Sequence, residues 1–254
     1  MKQIPNIFTL LNLVCGCIAI VFILQTGQSL VYIDRDGFTS WDMPERIAMA
    51  SYFIFAAGLI DFLDGFVARI FKASSEMGKQ LDSLADVVSF GVAPGLVLYQ
   101  LLRISFAKEA DGLDVSTVAL LPAFLIPCAG AWRLARFNID TSQQYSFKGI
   151  PIPAAGITIA SLPLIIFYQQ FNLQDLLVNK WLIYGIILLF SFLMVSRIPL
   201  MSLKFRNAGL KDNMPIYILA AIAIPAAILF KWVAIPVVFI AYVIVSLAFK
   251  NKIA

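Results

Sequence analysis

The sequence predicts an all-α integral membrane protein of about eight transmembrane helices. Three observations carry that prediction. Of the residues, 61% are hydrophobic and 13% charged, and the mean hydropathy is +0.88, far from the balance of a water-soluble domain. The apolar residues gather into runs of the length that crosses a bilayer, roughly 18 to 25 residues. The basic residues collect in alternate connections between those runs, as the positive-inside rule requires.

The elements follow in order. A short polar start holding Lys2 and Asn6 leads into a first span at 7–24. A cleaved signal peptide is the competing reading of that run; Lys2 is its only basic residue, and no A-x-A-like site follows it. Residues 25–46 are polar, contain the turn-like Asp34-Arg35-Asp36-Gly37, and read as an exposed loop. Spans at 47–71 and 78–102 flank the polar KASSEMG turn. After a loop through Lys108, Asp111 and Asp114 come a span at 117–137, the polar NIDTSQQYSFKG, and spans at 152–171 and 181–196. The basic loop RIPLMSLKFRNAGLKDN then precedes a helical hairpin at 214–230 and 232–249, split at Lys231. Pro225 and Pro236 sit inside that hairpin, where membrane helices tolerate them.

Eight spans place both termini on one side. That side collects Lys2, Arg69, Lys72, Lys79, Arg133, Arg136, Lys148, Arg197, Lys204, Arg206, Lys211, Lys250 and Lys252, the majority of the Lys and Arg residues. Both termini are therefore expected in the cytoplasm of a multi-pass cell-membrane protein. Trp41, Trp132, Trp181 and Trp232 fall near expected span ends and read as interface anchors.

Composition also excludes chemistry. The chain has no histidine, which removes imidazole bases, His-ligated zinc and Ser-His or Cys-His nucleophiles. Cys15, Cys17 and Cys128 lie in apolar runs and read as small buried hydrophobes rather than as a disulfide framework or a metal site. The net charge of +4 is not concentrated in any run dense enough to follow nucleic acid.

Against this background residues 61–86, DFLDGFVARIFKASSEMGKQLDSLAD, stand out. An ionised carboxylate inside an apolar span costs several kcal/mol unless it is compensated (~2.5–3.5 on insertion scales). Asp61 and Asp64 are three apart, Asp82 and Asp86 four apart, so each pair shares a helical face. The KASSEMG turn folds the two helices back antiparallel and sets the pairs facing each other. Gly65, Ala68 and Gly78 lie on the same faces, where small residues admit either a ligand or a neighbouring helix. Oxygen donors without His or Cys favour Mg²⁺ or Mn²⁺. Four ionised aspartates carry −4, so two divalent ions are needed before an anionic phosphate is welcome, and two ions also suit phosphoryl transfer. The alternatives are pairing with Arg69, Lys79 or Arg133, a water-filled entrance, or a carboxylate ring in a divalent-cation transporter.

The pattern Asp61-x2-Asp64-Gly65-x2-Ala68-Arg69-x8-Gly78-x3-Asp82-x3-Asp86 resembles the full signature of the CDP-alcohol phosphatidyltransferases, with no departure at any position. The resemblance implies a six-helix membrane core, here 1–196, leaving 197–254 as a basic loop and an added hairpin. It implies an enzyme that moves a phosphatidyl group from a CDP-linked lipid to an alcohol, releases CMP and works as a homodimer. It also implies that Asp61, Asp64, Asp82 and Asp86 hold two metal ions, that Asp86 is the catalytic base, and that Gly65, Ala68, Arg69 and Gly78 surround the CMP moiety. For Arg69, pairing with an aspartate stays an equal alternative. Ile4-Pro5-Asn6 with Thr9 and Asn12, SFGVAPG at 89–95, RLARFN at 133–138 and FKGIPIPAAG at 147–156 look like the serine-accepting bacterial and archaeal members. The expected substrates are then CDP-diacylglycerol and L-serine; glycerol 3-phosphate or inositol phosphate are the alternative acceptors. Arg133, Arg136 and Lys148 are candidates for the diphosphate or the serine carboxylate, or else anchors for lipid headgroups. Asn6, Thr9 and Asn12 either line the pocket or hydrogen-bond between helices.

Overall fold

The computed structural model describes residues 4–25, 27, 31–33, 39–70, 75–109, 115–140, 146–201 and 213–249. Its helices are α1 (Ile4–Leu24), α2 (Glu45–Ile70), α3 (Glu76–Asp86), α4 (Ala93–Ala107), α5 (Leu125–Ile139), α6 (Ile152–Phe167), the short α7 (Gln174–Leu177), α8 (Lys180–Val195), α9 (Met214–Phe230) and α10 (Ala234–Ala248). Two minimal antiparallel pairs join them: β1 (Val31–Ile33) with β2 (Thr39–Trp41), and β3 (Ser146–Lys148) with β4 (Pro199–Met201). The chain is an all-α membrane protein, and its long helices fall within the apolar runs of the sequence, with α3 and α4 sharing one run and the short α7 lying between two.

By length and composition, 5–24, 45–67, 76–107, 117–139 and 214–248 are long and apolar enough to cross a bilayer. The last of these is two helices, because Lys231 takes φ 50° and ψ −119° and breaks the rod between α9 and α10. Helices α6 and α8 have 16 residues each, about 24 Å at 1.5 Å per residue. That is a little short of the ~30 Å hydrocarbon thickness. For α6 the shortness fits its central position: Ile152, Ala155, Ile159, Ala160 and Leu164 are fully buried, and it packs against α2, α4 and α10.

The longest rod is α3 followed by α4, and it is not regular. Between them Val87–Val92 form a π turn, in which the Ala93 amide donates to Val88 O, five residues back. Pro94 supplies a cause: it has no N–H for the carbonyl of Phe90, so the regular ladder cannot continue. Neighbouring helices close on this turn through glycine. A Cβ on Gly16 of α1 would lie 2.9 Å from Ser89 Cα, and one on Gly156 of α6 would lie 2.8 Å from Phe90 Cα. Both neighbours are backbone, which cannot swing aside, so only glycine permits these approaches.

The connections sort to two ends of the bundle. At one end Lys108 pairs with Asp175 at 2.8 Å, Lys180 with Glu109, and the Tyr52 and Tyr168 hydroxyls meet at 2.9 Å. At the other, Lys79 donates to Asn138 O, Asn138 Nδ2 to Ser83 Oγ, and β3 pairs with β4. One expectation is corrected here. Cys17 and Cys128 are exposed and Cys15 half-buried, because an apolar helix in lipid has no need to turn every apolar residue inward.

Candidate functional site

Ser75 begins the site by capping α3, its hydroxyl accepting from the Gly78 amide at 3.0 Å. The cap starts the helix at Glu76 and thereby sets the phase of Asp82 and Asp86. Helix α2, running the other way, presents Asp61 and Asp64. One carboxylate oxygen from each of Asp61, Asp64 and Asp82 lies within 4.8 Å of the others. Asp86 is close enough to Asp61 to interact with it electrostatically. Asp64 and Asp86 are buried, 7% and 6% exposed.

Helix α1 supplies the supports. Thr9 Oγ1 donates to Asp64 Oδ2 at 3.0 Å, and Asn12 Nδ2 donates to Asp86 Oδ1 at 3.4 Å. The Asn12 backbone is itself held, its main-chain carbonyl accepting from Ser89 Oγ at 3.0 Å. The two alternatives for this face of α1 therefore both hold: Asn6 and Thr9 line a cavity, while Thr9 and Asn12 bridge between helices. Ser89 is a support that sequence reading missed; its place in SFGVAPG and the glycine opposite it were the only signals.

Beside the carboxylates is a cavity of about 500 Å³, lined by Pro5, Asn6, Thr9, Asp64, Gly65, Ser75, Glu76, Gly78, Lys79 and Asp82. That volume lies within the range of small-ligand pockets. A Cβ on Gly65 would meet nothing within 4 Å, so this glycine faces open space and no helix. Gly78 is closer set, its Cβ position 3.0 Å from Asn6 Oδ1 and from Ser75 Oγ. Ala68 and Arg69 belong to the last turn of α2, but their side chains lie outside the described residues.

The other cations are distributed unequally. Lys79 lines the same cavity, donates to Asn138 O at 3.3 Å, lies 5.8 Å from the Phe137 ring, and makes none of the ion pairs found among the described residues. Arg136 donates to Val195 O and Ser196 O at 2.8 and 3.0 Å, closing the C-terminal end of α8. Lys148 pairs with Asp140 at 2.9 Å. Arg133 is 5% exposed, its Nε has no hydrogen-bond partner, and it lies within electrostatic range of Asp86.

The acidic cluster fits a divalent cation. Its donors are all hard oxygens, Asp82 Oδ1 is buried without a hydrogen-bond partner, and none of the ion pairs found among the described residues reaches it. Carboxylates this close repel strongly in a medium poorer than water, and a cation between them relieves that repulsion.

Comparison with known proteins agrees with this chemistry. A CDP-diacylglycerol–serine O-phosphatidyltransferase of Helicobacter pylori is 35% identical over 86% of this chain and 78% of its own length. The enzyme of the same name from Bacillus subtilis is 33% identical over 71% of this chain and 89% of its own. An archaetidylserine synthase of Methanothermobacter thermautotrophicus is 39% identical over 46% of each. The profile of the CDP-alcohol phosphatidyltransferases matches residues 2–195, a stretch that contains every aspartate of the cluster, and the chain belongs to that family.

Proposed function

We propose that this protein transfers the phosphatidyl group of CDP-diacylglycerol to the hydroxyl of L-serine, giving phosphatidylserine and CMP. The observation that carries the chemistry is the convergence of Asp61, Asp64 and Asp82 next to Asp86 beside an open cavity. The choice of serine is supported by the relatives that bear that activity in their names. Acceptors such as glycerol 3-phosphate or inositol phosphate add about two negative charges, and Arg136 and Lys148 would have to give up Val195, Ser196 and Asp140 to meet them. A transporter of divalent cations is not favoured for a member of this enzyme family.

In this reading Asp61, Asp64 and Asp82 hold two Mg²⁺ or Mn²⁺ ions, with Asp86 contributing to the second. When bound, such ions polarise the phosphoryl oxygens and offset the charge of the departing CMP. The protein's own groups do the rest. Gly65, Ala68, Arg69 and Gly78 surround the CMP moiety. Thr9 keeps Asp64 in its rotamer, and Asn12 holds one oxygen of Asp86, leaving the other for the acceptor. Asp86 takes the proton of the serine hydroxyl as its oxygen attacks the phosphorus that bears diacylglycerol. The bond between that phosphorus and the bridging oxygen breaks, and its electron pair leaves with CMP. Arg133, buried and with its Nε unpartnered, faces the anionic end of the acceptor in this reading. Both termini and the site lie on the cytoplasmic side, as the basic residues support. The family resemblance also carries the expectation of a homodimer, with 197–254 added to the core.

The test is to give the purified protein CDP-diacylglycerol with a panel of alcohols and Mg²⁺ or Mn²⁺, then identify the lipid formed. CMP release that depends on serine is the expected result. CMP release only with glycerol 3-phosphate or inositol phosphate would reassign the acceptor, and metal flux without CMP would remove the enzyme reading.

A further inference from the structure

Of the described residues that line the cavity beside the aspartates, Lys79 alone carries a positive charge. It follows Gly78 on α3, with Glu76 three residues before it and Asp82 three after it, so both acids share its side of the helix. Despite these neighbours its ammonium makes none of the ion pairs found among the described residues. It rests instead on the main-chain oxygen of Asn138 at 3.3 Å and beside the Phe137 ring, 5.8 Å from the ring centroid.

That resting place is held from both sides. Asn138 Nδ2 donates to Ser83 Oγ at 2.8 Å, and Ser83 Oγ donates to Lys79 O at 3.1 Å. The bonds from Lys79 to Asn138, from Asn138 to Ser83 and from Ser83 back to Lys79 close a loop that ties the end of α5 to α3. The loop fixes the backbone of the lysine and its acceptor, and leaves the ammonium at the edge of the cavity with a neutral carbonyl for three donors. A phosphate oxygen carries charge where that carbonyl carries only a dipole. An anion in the cavity therefore draws the ammonium off its rest, on a stem flexible enough to follow.

We propose that Lys79 binds the phosphate that departs with CMP, moving from Asn138 O into the cavity when CDP-diacylglycerol enters. The proposal rests on the CDP-linked chemistry above and assigns a residue to its leaving group. As the acceptor oxygen bonds to the phosphorus that bears diacylglycerol, the bond from that phosphorus to the bridging oxygen breaks. Its electron pair stays on the CMP phosphate, which gains a negative charge, and a cation placed there counts most as that charge develops. In this reading Gly65 and Gly78 put the CMP moiety in the cavity that Lys79 lines. Arg136 is spent on Val195 O and Ser196 O, and Lys148 on Asp140.

The experiment is calorimetric titration of CMP into the full-length protein in lipid nanodiscs with saturating Mn²⁺, alongside steady-state kinetics. Lys79→Gln removes the charge and keeps a donor for Asn138 O. The expected result is a Kd for CMP raised roughly ten- to hundredfold, the loss of one hydrogen bond to a charged group, and a lower kcat. The KM for serine, the affinity for Mn²⁺ and the melting temperature should stay in place. Lys79→Arg restores the charge and should recover most of the CMP affinity. Ser83→Ala opens the loop around the resting place but keeps the lysine, and should leave the Kd for CMP as it is. An unchanged Kd in Lys79→Gln, a rise that Lys79→Arg does not reverse, or an equal rise in Ser83→Ala with a lower melting temperature would each overturn the proposal. Failure of the underlying reading looks different: the unsubstituted protein would then bind no CMP.

Discussion

Asp86 and Asp61 are both carboxylates of one cluster, but their surroundings separate their roles. Asp86 is buried and held by Asn12 at 3.4 Å, while Asp61 shares the three-carboxylate group with Asp64 and Asp82. Asp86→Asn keeps the shape and removes the base, so turnover should fall by about 10²–10⁴-fold while Mn²⁺ binding, followed by electron paramagnetic resonance titration, is partly retained. Asp61→Asn should instead weaken Mn²⁺ binding itself by at least about tenfold. Unimpaired turnover in both variants would remove the assignment. Thr9→Val tests the support from α1: it deletes the bond to Asp64 Oδ2 at 3.0 Å without changing volume, and about a tenfold loss of Mn²⁺ affinity is expected. The four aspartates were legible in the sequence because charge in an apolar span is conspicuous and helical spacing says which residues share a face. The fates of Arg133, Arg136 and Lys148 were not. Three basic residues on one side of a membrane look alike until their partners are seen, and two of those partners are main-chain carbonyls at the C-terminal end of α8, which carry no side-chain signal.

At the scale of elements, the glycines divide into two kinds, and substitution should tell them apart. Gly156 lets α6 rest on the π turn, where an added Cβ would lie 2.8 Å from Phe90 Cα. Gly156→Ala therefore has to push two helices apart, and overpacking of this sort costs about 1–3 kcal/mol. A clear drop in melting temperature in detergent is expected, with activity lost in proportion. Gly65 has nothing within 4 Å, so Gly65→Leu should leave the melting temperature where it is and raise the KM for CDP-diacylglycerol by filling the cavity. If Gly65→Leu melts early and Gly156→Ala does not, the division is wrong. Span positions could be read before the structure because apolar runs and their polar breaks are set by the membrane's thickness. The π turn at Val87–Val92 could not: it conserves the hydrophobicity of the run, and Pro94 alone does not say whether a helix will kink, end or widen.

Across the whole molecule, the connections fall into two sets at opposite ends of the bundle, and the proposed cytoplasmic placement of the site rests on how Lys and Arg divide between them. Among the described residues the end with the site carries Lys79, Arg136 and Lys148, and the opposite end carries the pairs Lys108–Asp175 and Lys180–Glu109. The proposed reaction asks for the same orientation, since it brings a nucleotide-linked lipid and a free amino acid to Asp86. Met77 is 71% exposed at the start of α3, and the Asp175 side chain is 79% exposed at the far end. In a background with Cys15, Cys17 and Cys128 replaced by alanine, a cysteine at Asp175 should react with a membrane-impermeant maleimide added to intact cells. A cysteine at Met77 should react only after the membrane is opened. Neither substitution touches a carboxylate of the cluster, so activity can confirm that each labelled protein is folded. The reverse pattern of labelling would put the site outside the cell, away from CDP-linked substrates, and would contradict the orientation on which the proposed reaction depends.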